Sequence, residues 1–356
     1  MRRPFRTSRG TTHGKDLLLV LVRSGGLTGY GECVAETEPG YLPETTDTVW
    51  PALRDFLVPL AFTLDLEHPR ELWPALRPVR GHEMAKAALE MAVWDLMARQ
   101  RDVPLCRLLG GSAREVAAGV SVGLQDDIAA LLAAVEAERA AGYRRIKIKI
   151  EPGHDHALVR AVRERFAELP LMVDANGAYG ADHLPALQAL DGFGLTMIEQ
   201  PFDWDDLVLH ARLQQRLDTP VCLDESIRSP HAAWQALELA ACRVINIKPG
   251  RVGGLAPSLA IHDLCRERGV PVWCGGMLET GIGRLANVHL QTLPGFTLPG
   301  DTSAGARLFE EDLVEPGVTV SAEGLIRVPD GPGLGQEIVW PRVERSTRWR
   351  EELRPA

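Results

Sequence analysis

The sequence predicts an α/β protein in which a (β/α)8-type barrel is joined to a smaller α+β capping domain, and three observations carry that prediction. Glycine-broken apolar runs open the chain. From about Val116 short β-branched runs alternate with longer amphipathic stretches, and ionisable residues end several of those runs at a nearly constant spacing. At 356 residues the chain also exceeds the usual size of one compact domain.

The first ten residues hold four arginines, but no apolar stretch follows directly, so they do not read as a secretory signal. Leu17 to Val22 is too short to cross a bilayer and reads as a strand. From Thr11 to about Glu36 the apolar runs are broken by Gly25-Gly26 and Gly29, the pattern of antiparallel strands with glycine turns. Helices follow over about 45–60 and 82–101. In the second, Ala85, Ala88, Leu89, Ala92, Val93 and Leu96 recur at helical spacing. These elements predict a cap over 1–115, completed by a Gly- and Pro-rich tail, 307–356, that returns to it.

Between them, over 116–306, strands are predicted to end near Gly123, Ile150, Asp174, Glu199, Asp224, Lys248, Gly275 and Pro299, with helices such as 127–141 and 255–268 interleaved. Eight strands suggest a closed barrel. A doubly wound open sheet would normally carry a glycine-rich phosphate turn, and Gly119-Val-Ser-Val-Gly123 is not G-x-G-x-x-G.

Composition narrows the partners. A formal charge of -9, from 48 acidic and 39 basic residues, supplies no basic field for nucleic acid. Six scattered cysteines without a C-x-x-C pair read as reduced and cytosolic, and no segment calls for a membrane. His13, His68, His82, His154 and His262 lack metal-ligand or triad spacing, and Trp50, Trp73, Trp94, Trp204, Trp234 and Trp273 are expected in the core.

Catalytic groups in such barrels sit at the carboxyl ends of strands. Asp174, Glu199 and Asp224 end three successive runs, each 25 residues apart, so one rim receives three carboxylates. Their gathering is costly without a cation. Oxygen-only ligation favours Mg²⁺, with Mn²⁺ or another hard divalent ion as alternatives. Upstream, Arg145-Ile-Lys-Ile-Lys-Ile150 alternates, so Lys147 and Lys149 share the face opposite the isoleucines. Mutual repulsion and burial are expected to lower their ammonium pKa towards that of a general base. Lys248 ends the run after Asp224 and brings an amine to the other side of the barrel. Taken singly, a K-x-K is more often a solvated edge, a strand-end acid a helix cap, and Lys248 a surface lysine. The joint register of all six argues for a site where a metal-bound carboxylate acidifies the neighbouring C–H.

These residues resemble the muconate-lactonizing subgroup of the enolase superfamily, whose pattern is K-x-K, D-x-N, E-Q-P, D-E-S and a lysine on the sixth strand. Here they stand as Lys147-Ile-Lys149, Asp174-Ala-Asn176, Glu199-Gln-Pro201, Asp224-Glu-Ser226 and Asn246-Ile-Lys248. The resemblance implies acid/base roles for Lys149 and Lys248, metal ligation by Asp174, Glu199 and Asp224, and a small carboxylate substrate. Trp273 to Gly283, Leu298 to Ser303 and Met84 to Asp95 look like the branch of o-succinylbenzoate synthases, enzymes of menaquinone biosynthesis, that also racemise N-succinyl or other N-acyl amino acids. Arg251 is similar to the residue typical of members with racemase activity.

By position in the matching motifs, Ser121, Asn176, Arg251, Gly276, Met277 and Glu279 are expected to contact substrate. A dedicated N-acylamino acid racemase, a dipeptide epimerase and a cycloisomerase are the alternative activities. Asp301-Thr-Ser303, in place of D-x-D, counts against the epimerase. A barrel that has lost its chemistry is disfavoured because every charged position is intact. The resemblance further implies a homo-oligomer, dimer to octamer, and a capping loop near 25–41 that closes over substrate. It also implies a short strand ahead of Pro4-Phe-Arg-Thr-Ser8, which this chain begins almost upon.

Overall fold

The computed structural model describes every residue except Arg3, Arg9 and Ala356. Strands β1 (Phe5–Thr7) and β2 (Gly10–Thr12) form one antiparallel hairpin. Strands β3 (Leu18–Ser24) and β4 (Leu27–Cys33) form another, turning at Gly25 and Gly26. Both turn glycines have positive φ, the geometry of a two-residue hairpin loop.

The helix expected over 45–60 is α1 (Thr46–Ala52), a π-helical turn (Leu53–Leu57) and α2 (Val58–Phe62) in sequence. Thr45 caps it by accepting from the backbone N–H of Thr48. Pro51 withdraws an N–H from the ladder just before the helix widens. Helices α3 (Leu72–Leu76), α4 (Glu83–Gln100) and α5 (Leu105–Leu109) follow.

Helix α4 departs from the one-faced pattern, because Met84 through Leu96 are all buried. The hairpin β3–β4 covers one side and barrel residues around 249–267 cover another. Glycine makes the first contact possible: a Cβ on Gly31 would lie 1.9 Å from the Ala88 carbonyl oxygen, and one on Gly29 2.2 Å from that of Ala92.

Strand β5 (Glu115–Ala117) leads into the barrel. Its units are β6 (Gly119–Val122), α6 (Ile128–Ala140), β7 (Arg145–Lys149), α7 (Asp155–Arg165), β8 (Leu171–Asp174) and α8 (Leu184–Ala189). Then come β9 (Ile198–Glu199), α9 (Leu207–Gln214), β10 (Val221–Leu223), α10 (Pro230–Glu238), β11 (Val244–Ile247), the short α11 (Pro249–Val252) and α12 (Leu255–Glu267). Strand β12 (Val272–Cys274), α13 (Gly281–Leu290) and α14 (Gly305–Leu308) complete the set. Strands β6 to β12 pair in parallel in chain order.

The eighth run is not a regular strand among the described residues. Single parallel bridges, Val272 to Phe296 and Ala118 to Gly300, stand in its place. The Gly119 N–H donates to the Gly300 carbonyl (2.6 Å) and the Asp301 N–H to that of Cys274 (2.8 Å), so the segment joins β12 to β6 and closes the ring. Pro299 has no N–H to sustain a ladder.

The tail forms β13 (Val314–Glu315), β14 (Leu325–Arg327), β15 (Glu337–Ile338) and α15 (Trp340–Ser346). Strand β13 pairs with β15 and β14 with β5, while the Leu334 N–H donates to Asp95 of α4.

Period-two alternation sorts the barrel strands. Ile146, Ile148, Leu171, Val173, Ile198, Leu223, Ile245 and Ile247 join the layer packed with the helices. Met172, Met197, Cys222, Val244 and Trp273 form a separate interior cluster with Leu298 against it. Two residues further along the same face come Asp174, Glu199, Asp224 and Asn246, one layer nearer the carboxyl mouth. Trp94 and Trp273 are fully buried as expected. Trp204 and Trp234 are instead exposed on the outer layer, where the Arg228 guanidinium stacks 3.4 Å from the Trp204 ring.

Candidate active site

Strands β7 to β11 each deliver charge to the mouth in strand order. The Lys147 Nζ lies 2.8 Å from Glu199 Oε2, 3.2 Å from Asp174 Oδ2 and 2.7 Å from Asp301 Oδ2. The Lys149 Nζ donates to Asp174 Oδ2 and to Asn176 Oδ1, both at 2.6 Å. The Lys248 Nζ donates to Asp224 Oδ2 at 2.7 Å and to the Tyr41 hydroxyl at 3.1 Å. In a ring of eight positions, β7 is second and β11 sixth, so Lys149 and Lys248 rise from opposite walls. The three acids occupy the arc between them.

The expectation that the K-x-K amines are driven towards neutrality fails at Lys147. Burial does act against its charge, but Asp301, Glu199 and Asp174 outweigh it and hold the ammonium well above its usual value. Lys248 is likewise raised: burial lowers it, and Asp224 and Tyr41 together more than compensate. Burial opposes ionisation of Asp174, yet Lys149 and Lys147 bring its carboxyl down to about 2. Asp224, opposed by burial but faced by Lys248 and Arg251, is also held low. Glu199 carries the strain of the cluster, since burial and then the Asp174 and Asp224 carboxylates push it up to about 8.

The all-oxygen donor set from three adjacent strands fits a hard divalent cation in chemistry. The side chains are not drawn together around one centre in this structure. Among the described residues no three His, Cys, Asp or Glu groups form a metal-holding cluster. Each carboxylate is turned onto an amine or guanidinium instead, a departure from the expectation that the three oxygens gather at one point.

The residues expected to meet substrate divide. Ser121 pairs in register with Lys147 and so faces the interior, and its buried Oγ has no hydrogen-bond partner among the described residues. Asn176, at positive φ, grips Lys149 and donates to Glu225 Oε1 (3.0 Å). Arg251 is wholly buried behind Asp224: it pairs with Asp224 Oδ1 and donates to the carbonyls of Ile227 (2.6 Å) and Asn246 (2.5 Å). Its donors are therefore spent on protein atoms, which makes it a support for Asp224 and not an open contact. Gly276 lies against the Asp301 backbone, where a Cβ would be 2.7 Å from the carbonyl oxygen. Met277 packs into the cap core, and Glu279 is buried, accepting from Asn287 Nδ2 at 2.9 Å.

Several neighbours escaped the sequence reading. Asn246 donates to Glu199 Oε1 (2.8 Å), and its place two residues before Lys248 was the available signal. Asp301 pairs with Arg145 (2.7 Å) as well as Lys147, and both cations lie over the Trp273 ring. Tyr41 reaches the site from the cap, with its hydroxyl donating to Asp224 Oδ1 (3.0 Å). The cover over the mouth also differs from the expected 25–41. Residues 27–33 are a strand packed on α4, whereas the Arg6 carbonyl accepts from the Leu124 N–H and the Ser8 hydroxyl donates to the Ala175 carbonyl (3.2 Å). Lys15 Nζ donates to the Met277 carbonyl. Arg6, Ser8, Lys15 and Tyr41 are thus cap residues that reach the rim.

Residues 1–110 match the family described as mandelate racemase / muconate lactonizing enzyme, N-terminal domain, and residues 130–342 match enolase C-terminal domain-like. The chain is 53% identical to an o-succinylbenzoate synthase of Geobacillus kaustophilus, over 98% of this chain and 93% of that protein. It is 46% identical to an N-succinylamino acid racemase of Thermus thermophilus, over 98% and 94%. A crystal structure of an enolase superfamily member from Listeria innocua superposes with a TM-score of 0.93 at 40% identity, over 96% of this chain and 92% of that one. No helix among the described residues is long and apolar enough to cross a membrane.

Proposed function

The chain belongs to the mandelate racemase / muconate lactonizing enzyme family of the enolase superfamily, and on that premise we propose that it removes a proton next to a carboxylate. The reaction is dehydration to o-succinylbenzoate, as in menaquinone biosynthesis, accompanied by racemisation of N-succinyl or other N-acyl amino acids. The observation that carries this reading is the placement of Lys149 and Lys248 on opposite walls with Asp174, Glu199 and Asp224 between them. A dedicated racemase is the second reading, favoured by the racemase name of the Thermus relative.

Asp174, Glu199 and Asp224 would hold Mg²⁺, which supplies a Lewis acid for the substrate carboxylate and for the charge left when the α-proton departs. The remaining work belongs to the side chains. Lys149, aimed by Asp174 and Asn176, takes the α-proton from one face. Lys248, aimed by Asp224 and Tyr41, delivers a proton to the other face, and the exchange of roles serves the opposite enantiomer. In dehydration a single base suffices: the proton it removes passes to the leaving hydroxyl, and water departs. Lys147, held by three carboxylates, stays cationic and supports the charge. The cap is assigned to 1–115 with 307–356 and the barrel to 116–306. We also assign the protein to the cytosol as a homo-oligomer; the six cysteines are all unpaired.

The test is incubation with Mg²⁺ and each enantiomer of an N-succinyl amino acid in deuterated water, alongside the cyclohexadiene substrate. Both enantiomers exchange, and o-succinylbenzoate accumulates. Exchange of one enantiomer alone removes the racemase reading, and absence of o-succinylbenzoate removes the lyase. Lys149→Ala abolishes both reactions, so near-native turnover by that variant would reassign the base.

A further inference from the structure

The chain contains five lysines against 34 arginines. Among the described residues every exposed Lys or Arg ion pair is made by arginine. Three lysines form the site, and Lys86 is buried on Glu83. Lys15 remains.

Its position is specific. Ser8 is tied to Ala175, directly after β8, and Lys15 to Met277, three residues after β12. Strands β8 and β12 occupy the third and seventh of eight positions, so Ser8 and Lys15 are anchored on opposite walls of the mouth. Met277 is two residues beyond Gly275, whose Cβ position lies 2.5 Å from the Lys248 Cε. Two residues of extended chain span about 7 Å. The Lys15 ammonium therefore lies at the rim just beyond β12, the strand next to the one that carries Lys248. Lys147, Lys149, Lys248 and Arg251 all face carboxylates of the site, whereas the contact of Lys15 among the described residues is a neutral carbonyl.

We propose that Lys15 receives the far carboxylate of the substrate's succinyl arm and so sets acyl-group specificity. This rests on the reaction proposed above, whose two substrates both carry a succinyl group and hence a second carboxylate. From the α-carbon to that carboxylate an N-succinyl chain reaches on the order of 6 Å, so its far end extends from the reacting carbon towards the rim. A compact ammonium with three rotatable donors can leave the Met277 carbonyl for a carboxylate without the fixed fork of a guanidinium.

The experiment measures binding of N-succinylglycine and N-acetylglycine to the Mg²⁺-loaded protein by calorimetry, in wild type, Lys15→Met and Lys15→Arg. A charge-assisted hydrogen bond predicts that wild type favours the succinyl ligand by roughly 10-fold or more. The preference collapses towards unity in Lys15→Met and is partly kept in Lys15→Arg. A wild-type ratio near one, or a preference that survives Lys15→Met, overturns the proposal. Because the readout is affinity, a protein that turned over neither substrate would defeat the proposed reaction, while the ratio of affinities would still decide the role of Lys15.

Discussion

Glu90 lies on α4, fully buried, and its carboxylate accepts from the backbone N–H groups of Leu255 (2.7 Å) and Ala256 (2.8 Å) and from Trp94 Nε1 (2.6 Å). It therefore caps the barrel helix α12 from the capping domain. Gly254 permits the approach, since a Cβ there would sit 2.2 Å from Glu90 Oε2. Burial pushes this carboxyl up to about 8, against three hydrogen bonds that lower it. A raised folded-state value means that the native protein holds the proton more tightly than the unfolded chain. The associated stability is present in full below the unfolded value near 4.5 and is lost as pH rises through about 8. Within that window one group contributes a slope of about 1.4 kcal/mol per pH unit, roughly 5 kcal/mol across the whole of it. Glu90→Gln removes the slope. Its amide turns an NH₂ towards one of the donors, so at pH 5.5 the variant is weaker than wild type by about 1–3 kcal/mol. By pH 7.5 that gap has shifted in the variant's favour by roughly 3 kcal/mol. Urea unfolding at several pH values reads both quantities, and the difference between the two proteins isolates Glu90 from the other buried acids. Parallel stability curves would refute the reasoning.

Other consequences are as direct. Glu32 is a buried latch from β4 to the start of α13, accepting from the Thr280 N–H (3.0 Å), the Thr280 hydroxyl (2.6 Å) and the Gly283 N–H (2.9 Å). Glu32→Ala strands those donors and costs about 3 kcal/mol or more in denaturant unfolding; a loss below about 1 kcal/mol would show that water replaces the latch. Gly31→Ala drives a Cβ into the α4 backbone and is expected to cost about 3 kcal/mol, or to prevent folding, and a native-like unfolding midpoint contradicts the packing. Glu199→Gln lowers Mg²⁺ affinity by about 10-fold or more by titration calorimetry, and an unchanged constant takes Glu199 out of the ligand set.

Much of the site was legible because strand geometry is local. Arg145-Ile-Lys-Ile-Lys149 alternates with period two, so its cations share a face whatever the strand packs against, and the structure gives them the barrel interior. The 25-residue spacing of Asp174, Glu199 and Asp224 is one βα unit, which put the acids on neighbouring strands. The eighth run, expected as a strand ending near Pro299, is where the sequence pattern and the structure part. The last segment joins its neighbours through a few backbone bonds, which hydrophobic pattern does not report.

The linear order of residues was enough to set which residue types line the mouth, their order around the ring, and the family of chemistry they serve, because each follows from repeat length and side-chain alternation. Which groups meet was left to the folded chain. Tyr41 finds Asp224 across 183 positions, Lys15 finds Met277 across 262, and Arg251 is turned inward to support a carboxylate. Charge was settled there too. Whether a buried lysine is driven neutral or kept cationic depends on the balance of desolvation against the carboxylates within a few ångströms, and at Lys147 three carboxylates prevail.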